Sequence, residues 1–175
     1  IKVYIDGRYG FVKEGKPCYP DYNDSAHCSD SAEVRQGLVI KRGWDFGLTP
    51  ACIFTQLRPD GRWVAYDELV ADDVGITTFA DQVLLHCGQK YPGFKFEDYG
   101  DPAGEQRSAM TADKDEKTCF DILRGKGIMI EGGEQNLTIR LESVKKPMNT
   151  LLAGKPQFML HPRCKKLRKG FQGRY

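Results

Sequence analysis

The spacing of apolar residues alternates between a strand period and a helix period along the chain, and each switch marks an element. A first strand is predicted over residues 38–46, ended by Gly47 and Pro50, and a second over 51–57, "ACIFTQL". "RPDGR" at 58–62 sets Pro, Asp and Gly in succession, a strong turn signal, before a third strand over 63–70. Three sequential strands with short connections predict an antiparallel meander. Helical spacing follows at Ile76, Phe79, Ala80, Val83, Leu84 and Cys87, with Thr77 near the start and Gly88 after the end. "FKFEDYGD" reads as a strand ending at Asp101, and "KTCFDILRGKG" as a short helix closed by Gly125 or Gly127. "IMI" at 128–130 is a short apolar strand. Asn136 caps a further helix with Leu137, Leu141, Val144, Met148, Leu151 and Leu152 on one face, kinked or split by Pro147. A short strand is expected near Phe158, then a basic stretch. Residues 1–36, rich in Gly, Pro, Tyr and Asp, suggest a hairpin or irregular arm.

The order is therefore β-β-β-α-β-α-β-α. A meander followed by βαβ units predicts an α/β fold, a mixed sheet with helices on both faces. This is the order of the ribonuclease H-like fold. The 175 residues suit one core, and 40% hydrophobic with 29% charged residues is ordinary globular composition. No apolar run is long enough to span a membrane, and the start at Ile1-Lys2 shows no leader pattern, so the chain reads as a domain of a longer protein.

Net charge is only +2, but its distribution is uneven. No acid follows Glu142, while residues 145–175 carry nine Lys and Arg. Such a block either attracts a polyanion or is simply solvated. Six cysteines without a CxxC pair argue against a zinc cluster and for reduced thiols, with Cys52 and Cys87 in the core. The three histidines form no ligand pattern.

Two acids stand out. Asp45, in "GWDFG", is an acid in a run that otherwise reads as a buried strand, where an unpaired carboxylate is costly. Asp101 ends the fourth strand in "YGDPAG". In the ribonuclease H-like order the first and fourth strands are neighbours, so the two carboxylates would meet and repel. A divalent cation relieves this, and carboxylates with retained waters suit Mg²⁺ or Mn²⁺. Two such ions roughly 4 Å apart suit phosphodiester cleavage. The competing reading of Asp101 is a turn cap, since Asp before Pro is ordinary turn chemistry.

Four blocks in this order and spacing, "GWDFGLTPACIFTQ", "DELVADDVGITTFADQV", "GDPAG" and "HPRCKKLRKGFQGRY", resemble the large terminase subunit of tailed bacteriophages, in its carboxy-terminal nuclease domain. The resemblance runs over residues 19–175. It implies a ribonuclease H-like endonuclease that needs Mg²⁺ or Mn²⁺ and cuts concatemeric duplex DNA for packaging in the host cytoplasm. It also implies an ATPase domain in the same subunit, a small terminase subunit and a capsid portal as partners. The family's first metal-binding aspartate falls on Asp45 and its second on Asp101. Glu68, on a strand beside the first, either supports that site from outside or faces solvent. The family's third acid sits on a late helix beyond "GFQGRY". Glu131, Glu134 and Glu142 fall too early to match it, so this chain is expected to lack it and to be weakly active.

Residues 1–36 are then an arm or linker from the ATPase domain, and 37–175 a nuclease domain incomplete at its carboxy end. No GxxxxGK[ST] loop occurs, so translocation is not expected of this chain. Arg163, Lys165, Lys166, Arg168 and Lys169 are the candidates for phosphate contact. Arg107 and Arg140 either line the cleft or make surface ion pairs. Two further readings are another ribonuclease H-like nuclease of resolvase or integrase type, and a catalytically silent module that docks on DNA or the portal.

Overall fold

The computed structural model describes residues 18–105 and 117–173. Arg107 and the first part of the amino-terminal arm lie outside the described residues. Strands β1 (Ile40–Asp45), β2 (Ala51–Leu57) and β3 (Trp63–Val70) form the antiparallel meander that the apolar pattern predicts. The "RPDGR" turn closes with the Arg58 N–H on the Arg62 carbonyl at 2.8 Å, and Gly61 takes the left-handed φ of 83° that favours glycine. Helix α2 (Ile76–Lys90) then leads to β4 (Phe96–Gly100), which pairs in parallel with β1. A 3₁₀ turn (Pro102–Glu105) follows, then α3 (Cys119–Gly125) and β5 (Ile130–Gly132), parallel to β4. The sheet order is β5-β4-β1-β2-β3, with a sixth strand beyond β3. That strand, β8 (Phe158–Leu160), runs parallel to β3.

Between β5 and β8 lie α4 (Leu137–Asn149) and a hairpin of β6 (Leu151–Leu152) and β7 (Lys155–Pro156). The last element is α5 (Lys165–Phe171); near the start, α1 (Asp24–His27) is a single turn. Helices α2 and α3 cover one face, packing Phe79, Val83, Phe120 and Leu123 on Trp44, Phe54 and Ile130. On the other face Met148 of α4 and Phe171 of α5 pack with Phe158, Leu160, Tyr19 and Tyr22. Helices on both faces of a mixed sheet with this strand order make the fold ribonuclease H-like. Residues 18–36 close against the meander: the Arg35 N–H donates to Gln56 Oε1 at 2.8 Å, and Arg58 donates to the Glu33 carbonyl at 2.8 Å.

Several expectations shift. Helix α2 runs past Gly88 to Lys90, because buried Tyr91 anchors its end through a 2.6 Å hydrogen bond to Asp67. Pro147 falls near the end of α4, which stops two residues later, so the helix is not split. Leu151 and Leu152 leave that helix and enter the hairpin.

Asp45 is not a buried carboxylate. β1 alternates, with Ile40, Arg42 and Trp44 inward and Gly43 and Asp45 exposed. The buried acid beside β1 is Asp98 of β4. Its Oδ2 accepts from Arg42 at 2.8 Å and its Oδ1 from Trp44 Nε1 at 2.7 Å. An arginine at an inward position breaks the apolar period and makes the whole run read as one buried segment. A second buried acid, Asp67, accepts from Tyr91 and contacts His86 Nε2 at 2.8 Å. It sits at an irregularity where β3 carries one extra residue, Tyr66, opposite Phe54 and Thr55.

Candidate metal centre and nucleic-acid interface

β1 and β4 pair from Ile40 with Phe96 to Trp44 with Gly100. Asp45 and Asp101 each come one residue after the last pair of this register, at the carboxy ends of adjacent strands. Directly opposed residues of parallel strands share a face, and the strands lie about 4.8 Å apart. Asp45 alternates with the inward Trp44 and so faces away from α2 and α3, and Arg140 of α4, the helix on that same side, reaches Asp101 just past the carboxy end of β4. Binding crevices of open α/β sheets form at this end.

Local packing holds the two strand ends together. The Phe46 ring, one residue past Asp45, leans over the end of β4. A Cβ on Gly100 would lie 2.8 Å from that ring, and one on Gly104 would lie 2.5 Å from it. Both glycines of "GDPAG" are thus required by close approach. Phe46 meets Phe120 of α3 edge-on, with centroids 5.7 Å apart. The Asp101 side chain accepts the Ala103 N–H at 3.0 Å, as its turn reading anticipates. Its other oxygen lies 3.1 Å from the Arg140 guanidinium. Asp45 has no hydrogen bond or ion pair among the described residues.

Neighbouring charges on this face are committed elsewhere. Lys41 lies 2.6 Å from Glu97, and its ammonium holds the Glu97 carboxyl below the usual range. Glu131 of β5 is exposed beside Tyr99. Among the described residues no three His, Cys, Asp or Glu side chains gather into a metal-binding group. Two hard carboxylates side by side do fit one hydrated Mg²⁺ or Mn²⁺, which keeps several waters when bound through one or two acids.

Glu68 lies two strands from Asp45 on the same face, opposite Ile53, which in turn opposes Gly43. Its two oxygens accept the backbone N–H groups of Lys166 and Leu167, at 2.7 and 2.9 Å. Glu68 is therefore the cap of α5, filling two donors that the helix leaves unpaired. Neither of the two readings offered for it from sequence describes this.

The basic block divides into two sets. Arg163 pairs with Glu33, and Arg168 with Asp24, its Nε 2.7 Å from Oδ1. These two arginines tie the arm to the domain. Lys165, Lys166 and Lys169 are exposed, and their ammonium groups have no partner among the described residues. A shallow depression of about 340 Å³ lies along Lys165, Arg168, Lys169 and Gln172. Because Glu68 fixes the start of α5, these lysines belong to the same side of the sheet as Asp45 and Asp101.

His27 and His161 are structural: His27 bridges to the Met148 carbonyl, and His161 contacts Glu33. All six cysteines are free thiols, with Cys52 and Cys87 buried. No helix of the described residues is long and apolar enough to cross a membrane.

No family model and no curated protein matches the sequence. Solved structures do match. The large terminase from the thermophilic bacteriophage D6E in complex with ATP-gamma-S superposes with a TM-score of 0.66 at 14% identity, over 89% of this chain and 37% of that one. The P22 large terminase nuclease domain gives a TM-score of 0.61 at 10% identity, over 89% of this chain and 77% of that one. The chain thus spans little more than a third of the D6E protein and most of the P22 domain. It has the fold of a large-terminase nuclease domain.

Proposed function

We propose that this chain is the nuclease domain of a viral DNA-packaging terminase large subunit, an endonuclease that cuts concatemeric duplex DNA. The observation that supports the reading is the parallel pairing of β1 with β4, whose carboxy ends lead directly into Asp45 and Asp101, in a fold shared with the P22 nuclease domain. Asp45 and Asp101 would hold Mg²⁺ or Mn²⁺. Such an ion, or a pair of them, supplies charge neutralisation at the phosphate and a water acidic enough to attack it. The chain's own part is to orient the two carboxylates through Phe46 and the "GDPAG" glycines. Lys165, Lys166 and Lys169 hold the backbone phosphates of the duplex, which fixes position without reading sequence. The ATPase domain of the same subunit, the small terminase subunit and the portal are the partners this role implies.

The test is cleavage of supercoiled plasmid with Mn²⁺ by the parent chain and by Asp45→Asn. The substitution keeps the shape of an exposed residue and removes its charge, so folding is preserved while cleavage is lost. Equal cutting by a folded Asp45→Asn protein would remove Asp45 from the mechanism.

A further inference from the structure

Arg140 stands in the first turns of α4, the helix that follows β5, with its guanidinium 3.1 Å from Asp101 Oδ2. Asp101 thus has a positive partner mounted on a separate element. Both members of the pair are accessible, at 41% and 32% exposure. An ion pair this open is held loosely. The oxygen that Arg140 covers is also one that a cation between Asp45 and Asp101 would need. The start of α4 is anchored through its backbone: Asn136 Oδ1 accepts from Thr138 and Ile139, and the Arg140 N–H reaches the Asn136 carbonyl at 3.0 Å. The Arg140 side chain is thus free to swing without unwinding the helix. Its planar fork matches phosphate oxygens as well as carboxylate.

We propose that Arg140 is an exchangeable counter-ion: it neutralises Asp101 while the acids hold no cation, and turns to a DNA phosphate when a divalent cation takes Asp101. This rests on the metal reading given above. It makes cation loading the event that presents an arginine to the DNA, so that the site grips its substrate in the loaded state.

Two measurements on the full chain test it. The first is calorimetric titration with Mn²⁺ alone. Arg140→Gln removes a competitor for Asp101, so the variant binds Mn²⁺ about two- to fivefold tighter than the parent, the range for loss of an exposed ion pair. Arg140→Lys keeps a charge there and stays near the parent. The second is duplex affinity against salt, with EDTA and with Ca²⁺, which shares the oxygen preference. In EDTA the parent and Arg140→Gln coincide. In Ca²⁺ the variant binds more weakly, and its salt slope flattens by about 0.9, one phosphate contact. A fixed structural role would not produce that cation dependence. Equal or weaker Mn²⁺ binding by Arg140→Gln overturns the proposal, as does a DNA defect of the same size in EDTA and Ca²⁺. If the parent binds no Mn²⁺, the metal reading falls and this inference with it, whereas the first two outcomes leave that reading standing.

Discussion

Asp45 shows what one residue's environment decides. It is exposed, has no partner among the described residues and follows the last β1–β4 pair, Trp44 with Gly100, so its charge adds nothing to the core. Asp98, three residues before Asp101 in sequence, has the opposite role. It is 5% exposed and satisfies both buried Arg42 and Trp44 Nε1. Removing it leaves a buried guanidinium without its anion, so Asp98→Ala should destabilise the fold by about 3–5 kcal/mol, read by urea unfolding. A loss below about 1 kcal/mol would mean that water or Cys87 replaces the carboxylate. The adjacency of the two strands that end at Asp45 and just before Asp101 was legible in the sequence, because the element order implied it. The exposure of Asp45 was not. Arg42 at an inward position hid the alternation of β1, although a buried arginine itself signals a buried acid on a neighbouring strand. Glu68 was hidden for another reason: its partners are backbone N–H groups nearly a hundred positions away, which no side-chain pattern reveals.

At the level of elements, the meander and the α2, α3 and α4 helices followed from local periodicity. α5 did not, since four of its seven residues are Lys or Arg and its apolar face is carried by Leu167 and Phe171 alone. Tertiary contacts make this helix. Glu68 caps its start, and Glu68→Ala should cost about 1 kcal/mol and loosen duplex binding through displaced lysines; unchanged stability and binding together would show that α5 holds its place without the cap. Asp24 of α1 fixes its other end through Arg168 and Gln172. The hydrogen bonds from Arg168, opposed by partial burial, lower the Asp24 carboxyl from 3.8 to about 2. A lowered folded value means stability that is complete above the unfolded value and lost as pH falls through the folded one. Asp24→Asn should therefore be less stable than the parent at neutral pH, and the gap should close as pH drops from about 4 to about 2. A gap that stays constant in acid unfolding experiments would remove this pair as the source.

Across the whole molecule, α2 and α3 cover one face of the sheet, while α4, which carries Arg140, and α5, which carries the three exposed lysines, pack on the other. Composition had announced a basic carboxy-terminal block, but only the fold separates Arg163 and Arg168, which hold the arm, from Lys165, Lys166 and Lys169, which are exposed and have no partner among the described residues. Replacing Lys165, Lys166 and Lys169 by Ala should weaken binding to all duplex sequences alike and flatten the salt slope by up to about 2.7, at about 0.9 per contact. An unchanged slope would send the DNA across another surface. If Asp45 and Asp101 jointly hold a divalent cation, anomalous diffraction from crystals of the chain soaked in Mn²⁺ will locate it. The account predicts an anomalous peak within bonding distance of both carboxylates, about 2.0–2.2 Å from their oxygens as for comparable hard cations, and its loss in Asp45→Asn. A peak bound elsewhere, or none at that pair in a soak that labels other acids, would contradict it.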